Sequence, residues 1–128
     1  DTNAMLKRIF ENEALFECFK EYSVKEFSVE NVLCFGDIQL FKETLDPLDR
    51  RVVAEKIYNL YLSESSLLEV NTTLNVKLNV KAALQAHATG NGSILLSDQL
   101  FAECETVISS NLLDTLSRFK KTSDFLAH

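Results

Sequence analysis

The sequence contains very few residues that interrupt helices. Of its 128 residues, one is proline and three are glycine. A β-sandwich or barrel of this length needs many tight turns, which are rich in these two residues. Their scarcity therefore favours an all-α fold with short loops. The length suits one core, so we expect residues 1–128 to form a single domain.

Composition argues against several classes of function. The net charge of −6 disfavours binding to nucleic acid, whose phosphates require a basic face, and adsorption to anionic lipid. No apolar run approaches the ~20 residues that cross a bilayer, so we expect no direct membrane insertion. The three cysteines are odd in number and far apart, as is typical of a reduced intracellular protein. We therefore expect a cytoplasmic location.

Residue patterns of catalytic sites are missing from the sequence. Gly90-x-Gly92 lacks the third glycine and the preceding strand of a dinucleotide site. His87 is the one internal candidate base, and a lone histidine near a helix end is more often a surface or capping residue. The cysteines form no Cys-x-x-Cys or Cys-x-x-His pair. We expect no catalytic residue, no metal and no cofactor.

Apolar residues at helical spacing predict the first helices. After Asn12, which can cap a helix, apolar side chains recur every three or four residues. The next helix is predicted to begin after Ser28 and to run toward Lys42. Asp46-Pro47 ends it, because proline lacks a backbone donor and restricts the residue before it. An amphipathic third helix follows, with an apolar face that includes Val53.

The segment Leu74–Lys81 allows two interpretations. It repeats Leu-Asn-Val-Lys twice, and this alternation of apolar and polar residues is typical of a strand. The same repeat has a period of four, which would place Leu74 and Leu78 on one helix face. Thr73 can cap a helix, and residues 82–86 are strong helix formers. We therefore predict a helix.

A loop and two more helices are predicted in the C-terminal third. Gly90–Ser93 is rich in turn-forming residues. Ser97 or Asp98 is predicted to cap a helix that carries Leu100 and Phe101, and a separate last helix is predicted to begin near Asp114. At the other end, Met5 is the only methionine. We therefore interpret residues 1–4 as a cloning remnant and leave them out of the fold prediction.

Four blocks of residues occur in the order and spacing of a known family. The first runs from Phe16 to Lys42, and the second leads from Ala54–Tyr58 to Glu69-Val70-Asn71. The third is Phe101–Glu105, and the last is Asp114–Phe119. With these blocks the chain resembles the regulator-of-G-protein-signalling (RGS) family over nearly its whole length.

The resemblance implies both a fold and an activity. The fold would be a bundle of about nine helices, an antiparallel four-helix subdomain beside a subdomain of terminal helices. The activity would be to accelerate GTP hydrolysis by the α subunit of a heterotrimeric G protein, whose switch segments the domain holds in the transition-state geometry. The partner would supply the chemistry and recruit the domain, expected to be a monomer, to the membrane. The sequence does not indicate which class of α subunit is bound.

The same resemblance assigns the contact with the α subunit to three patches. Their residues are Glu26, Phe27, Ser28, Glu30 and Asn31, then Asn71, then Leu112, Asp114 and Arg118. The amide of Asn71 would confine the glutamine that orients water, because it can both donate and accept hydrogen bonds. Asp114 and Arg118 lie four residues apart and could pair on a helix. Without a partner, Ser28 and Asn31 would be ordinary helix caps and Asn71 an ordinary turn residue.

A second hypothesis is an RGS-like adaptor that binds a protein or peptide without accelerating GTP hydrolysis. Three departures from the family pattern motivate it. Thr72-Thr73 stand where Leu-Asp is frequent, and Lys77 replaces a frequent arginine, with loss of bidentate bonding. The chain before Arg118 is also one residue shorter, which leaves Leu112 and Asn111 as alternatives for one position. Because a fold does not fix a function, both hypotheses stay open.

Overall fold

Helices account for all the regular secondary structure in the described part of the chain. The computed structural model describes residues 2–26, 28–64, 66–90 and 94–127. The helices are α1 (Thr2–Glu11), α2 (Glu13–Lys25), α3 (Val29–Glu43), α4 (Pro47–Ile57), α5 (Leu74–Thr89), α6 (Ala102–Phe119) and α7 (Ser123–Leu126). A π-helical turn, Tyr58–Leu62, continues α4. The all-α prediction is confirmed, with seven α-helices in the described residues where the resemblance implied about nine.

Four helices begin at a side-chain cap. In each, the cap oxygen accepts a hydrogen bond of 3.0–3.3 Å from the backbone amide three residues later; the caps are Asn12, Asp46, Thr73 and Thr122. Such a bond satisfies an amide that has no partner inside the helix. The predicted caps Asn12 and Thr73 are confirmed, and the alternating segment after Thr73 is helical.

Two predictions about the C-terminal third are wrong. The helix predicted to begin after Ser97 or Asp98 begins at Ala102, because the preceding residues form a turn in which the Leu100 amide donates to Ser97 O (3.1 Å). The separate helix predicted near Asp114 is the second half of α6. Its buried residues continue at helical spacing without a break: Cys104, Ile108, Leu112, Leu116 and Phe119. Of the predicted loop, Gly90 caps α5, and residues 91–93 lie outside the described residues.

A helix precedes the first one predicted from the sequence. This helix, α1, begins at Thr2 and so includes residues 2–4. Leu6 and Ile9 of this helix are fully buried. Phe10 packs against Phe35 of α3 with ring centroids 5.1 Å apart. This approach depends on Gly36, where an added Cβ would lie 3.1 Å from the Phe10 ring.

Helices α3 and α6 form the centre of the core. Helix α3 packs against α2, α4 and α6, while α6 also contacts α1 and α2. Phe41 of α3 meets Phe101 edge-on, with ring centroids 5.1 Å apart, and Phe119 packs on Phe19 of α2 at 5.0 Å. Each buried side chain of this size contributes about 1.5–3 kcal/mol. No helix within the described ranges combines the length and the apolar character that a membrane crossing requires.

One charged side chain is buried among the described residues. Arg50 of α4 is 2% exposed. Its Nε donates to Leu96 O (2.8 Å) and its Nη1 to Phe41 O (3.1 Å), and its Nη2 pairs with Asp98. The last carbonyls of a helix have no partner within it, so Arg50 satisfies the end of α3. It thereby joins α3, α4 and the turn before α6.

Candidate protein-binding site

The three patches predicted from the sequence meet along one face of α6. This face, called the α6 face below, consists of Asn111, Asp114, Thr115 and Arg118. Its side chains make three contacts: Arg118 with Glu26, Thr115 with Ser28, and Asn111 with the backbone of Asn71. The two residues of each contact are separated in the sequence by 92, 87 and 40 residues, respectively. Helix α6 therefore brings together the loop between α2 and α3 and the loop before α5.

The contact between Glu26 and Arg118 is a bidentate ion pair. Arg118 Nε lies 2.9 Å from one carboxylate oxygen of Glu26, and its Nη2 bonds the other. Arg118 therefore pairs with Glu26 and not with Asp114, the partner that helix spacing allowed. Glu26, at the end of α2, offers both oxygens to the planar guanidinium, and two charge-assisted bonds outweigh a contact of ~0.5 kcal/mol along one helix. Asp114 is exposed, and its carboxylate makes no hydrogen bond within the described residues.

The same carboxylate also affects a neighbouring tyrosine. Interaction with Glu26, chiefly by hydrogen bonding, raises the pKa of Tyr22. Hydrogen bonding from Arg118 lowers the pKa of Glu26 below its ordinary value of 4.5, and the same pairing raises the pKa of Arg118. Glu26 and Arg118 are therefore both charged at neutral pH.

Replacing Arg118 with methionine should raise the pKa of Glu26 toward its ordinary value. A glutamate with a lowered pKa stabilises the folded state above pH 4.5 and loses this contribution as the pH falls through its own pKa. The stability difference between the native protein and Arg118→Met should therefore shrink below that pH. Carbon NMR titration of the Glu26 carboxyl measures the shift, and Glu26→Gln is the control that removes the titration. An unchanged Glu26 pKa in Arg118→Met would contradict this account.

Buried polar side chains lie beneath the loop between α2 and α3. Ser23, Asn31 and Thr115 are 0%, 6% and 3% exposed. The Ser28 amide donates to Ser23 O at 2.9 Å, and the hydroxyls of Ser28 and Thr115 are 3.3 Å apart. Ser28 occupies the predicted N-cap position of α3, but its hydroxyl makes no capping bond. The side-chain oxygens of Ser23 and Asn31 lack a hydrogen-bond partner among the described residues.

The remaining predicted residues of this first patch differ in accessibility. Glu30 is half-buried in the first turn of α3, and its side chain makes no hydrogen bond with any described residue. Asn31 is almost wholly covered, and its amide oxygen is buried. Phe27 lies outside the described residues. Among the described residues, the accessible part of this patch is therefore chiefly Ser28, Glu30 and Glu26, which is paired with Arg118.

The π-helical turn holds the segment that carries Asn71. In such a turn each carbonyl is matched to the amide five residues later, as in the bond from Ser63 N to Tyr58 O at 2.8 Å. The Tyr61 carbonyl accepts instead from Val70 N at 2.9 Å. Val70 is 1% exposed, whereas the Asn71 side chain is exposed. The residue before Asn71 is thus fixed in the core while Asn71 faces solvent.

Two residues that depart from the family pattern also stabilise this segment. The segment, residues 69–73, is called the Asn71 turn below. Lys77 of α5 forms an ion pair with Glu69 at the start of the turn. At its end, the Thr73 hydroxyl caps α5. Lys77 and Thr73 therefore stabilise the local structure at positions where the family often has arginine and aspartate.

Leu112 and Asn111, the two alternatives for one contact position, differ in burial. Leu112 is 0% exposed because it continues the buried face of α6. Its contact with a partner stays a prediction, and in the free domain its side chain is not accessible. Asn111 lies at the edge of the buried face and is partly exposed, and its Nδ2 donates to Asn71 O at 3.3 Å.

Comparison with known proteins identifies the family. The family model of the regulator of G protein signaling domain matches residues 5–128. The human protein named Regulator of G-protein signaling 10 is 32% identical over 127 residues, which are 98% of this chain and 64% of that protein. The rat protein of the same name is 33% identical over 125 residues, 96% of this chain and 63% of the relative. The chain thus spans a little under two thirds of the length of these relatives. It belongs to the regulator-of-G-protein-signalling family.

Proposed function

We propose that this domain is a GTPase-activating protein for the α subunit of a heterotrimeric G protein. It acts as a single, monomeric domain in the cytoplasm and reaches the membrane through its partner. The observation that supports this role best is the α6 face, which joins both loops that carry predicted contact residues. The names of the relatives, which describe regulators of G-protein signalling, agree with the proposal.

The domain stabilises the partner's transition state and supplies no reacting group of its own. An interaction accelerates a reaction only where it is stronger in the transition state than in the ground state. A surface that is rigid before binding meets this need, because groups that are fixed in advance match one arrangement of the switch segments better than another. Both loops are already fixed, one by the pair of Glu26 with Arg118 and the other by the buried Val70.

Two exposed side chains are suited to direct contact with the switch segments. Asn71 presents an amide that can donate and accept at the end of a fixed turn. Asp114 presents a carboxylate beside the Arg118 guanidinium, which is engaged by Glu26. An unengaged carboxylate can accept hydrogen bonds from the backbone amides of a docked loop. The Asn71 turn thus contacts the partner through an amide, and the α6 face contacts it through a charged carboxylate.

Binding to three nucleotide states of the α subunit tests the proposal. The states are GDP, GDP with aluminium fluoride, and a non-hydrolysable GTP analogue, measured across a panel of α-subunit classes. We expect the aluminium fluoride state of at least one class to bind about 100-fold more tightly than its GDP state, as transition-state mimics do. Binding that ignores the nucleotide state would refute GTPase activation and support the adaptor hypothesis.

A further inference from the structure

We infer that Asn111 is a positioning residue that acts through Asn71. Its amide holds the Asn71 turn at a fixed distance from Asp114 and Arg118 on the α6 face. This inference rests on the proposed function, because it concerns how the two parts of one contact surface keep their spacing. The resemblance offered Asn111 only as an alternative to Leu112 for direct contact with the partner, and this inference gives it a different role, exerted through Asn71.

The Asn71 turn is anchored at both ends but is open on its outer side. Val70 bonds to Tyr61 before Asn71, and Thr73 caps α5 after it. Both anchors lie on the side of α4 and α5. Within the described ranges, the bond from Asn111 Nδ2 to Asn71 O is the one hydrogen bond that ties the turn to α6.

The position of Asn111 makes this bond effective. The next residue, Leu112, is fully buried, so the helix backbone at Asn111 cannot shift without disturbing the core. The side chain of asparagine is short and has few rotatable bonds, so its donor stays close to the position set by the backbone. Asp114 and Arg118 follow at three and seven residues on the same side of the helix. One hydrogen bond therefore transmits the position of α6 to the Asn71 turn.

Single-turnover GTP hydrolysis measures the effect on function. With an α subunit that the native domain activates, Asn111→Ala should lower the rate at saturating domain about three- to tenfold, the range expected from one net hydrogen bond. The concentration for half-saturation should change less, because most of the contact surface is intact. Asn111→Gln keeps an amide donor and should retain most of the rate. Asn79→Ala, a change at an exposed asparagine on α5, is the control.

A double-mutant cycle tests whether Asn111 acts through Asn71. If it does, adding Asn111→Ala to Asn71→Ala should cause no further loss of rate, since the side chain being positioned is already missing. An equal loss in both backgrounds would overturn the inference and assign Asn111 a separate contact with the partner.

Hydrogen exchange in the free domain provides a measurement without a partner. Asn111→Ala should speed exchange of the Val70 amide about three- to tenfold by loosening the Asn71 turn, while Asn111→Gln and Asn79→Ala should leave it unchanged. Unchanged exchange in Asn111→Ala would overturn the inference even if the native domain activates an α subunit. Failure of the native domain to activate any α subunit would instead refute the proposed function.

Discussion

Replacing Arg50 with methionine should lower the free energy of unfolding by roughly 2–5 kcal/mol, the cost of leaving two buried or partly buried carbonyls without a partner. The carbonyls are those of Leu96 and Thr44, which Arg50 binds at 2.8 and 3.2 Å. The Phe41 carbonyl also loses its bond to Arg50 but keeps one from the Thr44 amide. Methionine can fill much of the space but donates no hydrogen bond. The guanidinium also lies 4.3 Å from the centre of the Phe41 ring, and this cation–π contact is lost as well.

Urea unfolding monitored by circular dichroism measures this loss. The midpoint should fall with little change in the slope, since the fold itself is retained. Arg50→Lys should recover only a small part of the stability, because an ammonium group cannot reach acceptors in several directions at once. The matched control is Arg51→Met, whose side chain lies nearer the surface and binds Leu84 O and His87. An Arg50→Met protein as stable as this control would contradict the role assigned to Arg50.

Arg50 also shows why part of the core was not predictable. In the sequence it stands beside Arg51 in an amphipathic helix, where arginine is ordinarily solvent-exposed. Nothing in the local pattern distinguishes the two side chains. Arg50 is buried because the end of α3 and the turn at Leu96 both direct carbonyls toward it. Those acceptors are 9 and 46 residues away, so the reason for burial is tertiary.

Features set by neighbouring residues were predictable. Asn12 and Thr73 cap helices because each cap bond spans three residues. The helix after Thr73 was identified despite its strand-like alternation, since the same repeat also fits a helix. The boundary at α6 was misplaced because Ser97 uses its cap-like hydroxyl in a turn, where it accepts from the Gln99 amide at 3.0 Å. A capping residue alone does not distinguish a turn from a helix.

The candidate contact surface could be predicted only as a set of residues. Resemblance selected Glu26, Asn71, Asp114 and Arg118, but it gave no information on which of them touch. Spacing favoured Asp114 as the partner of Arg118, whereas the folded chain presents Glu26 in a better geometry. To choose between Leu112 and Asn111, it was likewise necessary to know which side of α6 faces the core. Contacts between segments depend on how helices pack, and local periodicity does not specify packing.

Replacing Asn71 with alanine should reduce the acceleration of GTP hydrolysis by about 100-fold, the cost expected when a positioning contact at the reacting centre is lost. The change removes an exposed amide and leaves the backbone bond to Asn111 in place. Val70, which anchors the turn in the core, is unaffected. Stability should therefore stay within about 0.5 kcal/mol of the native protein, as for most surface substitutions.

Single-turnover hydrolysis and urea unfolding, performed on the same preparation, separate the two effects. Asn79→Ala is the matched control, because it removes an exposed asparagine amide from α5, away from the α6 face. If the rate fell in proportion to a loss of stability, Asn71 would be a structural residue of the turn. If neither quantity changed, Asn71 would make no contact with the switch segments. The GTPase-activating role would then have to rest on Asp114 and the pair of Glu26 with Arg118, since these present the other charged groups beside the α6 face. A large loss of rate at unchanged stability is the result that assigns Asn71 to the partner's transition state.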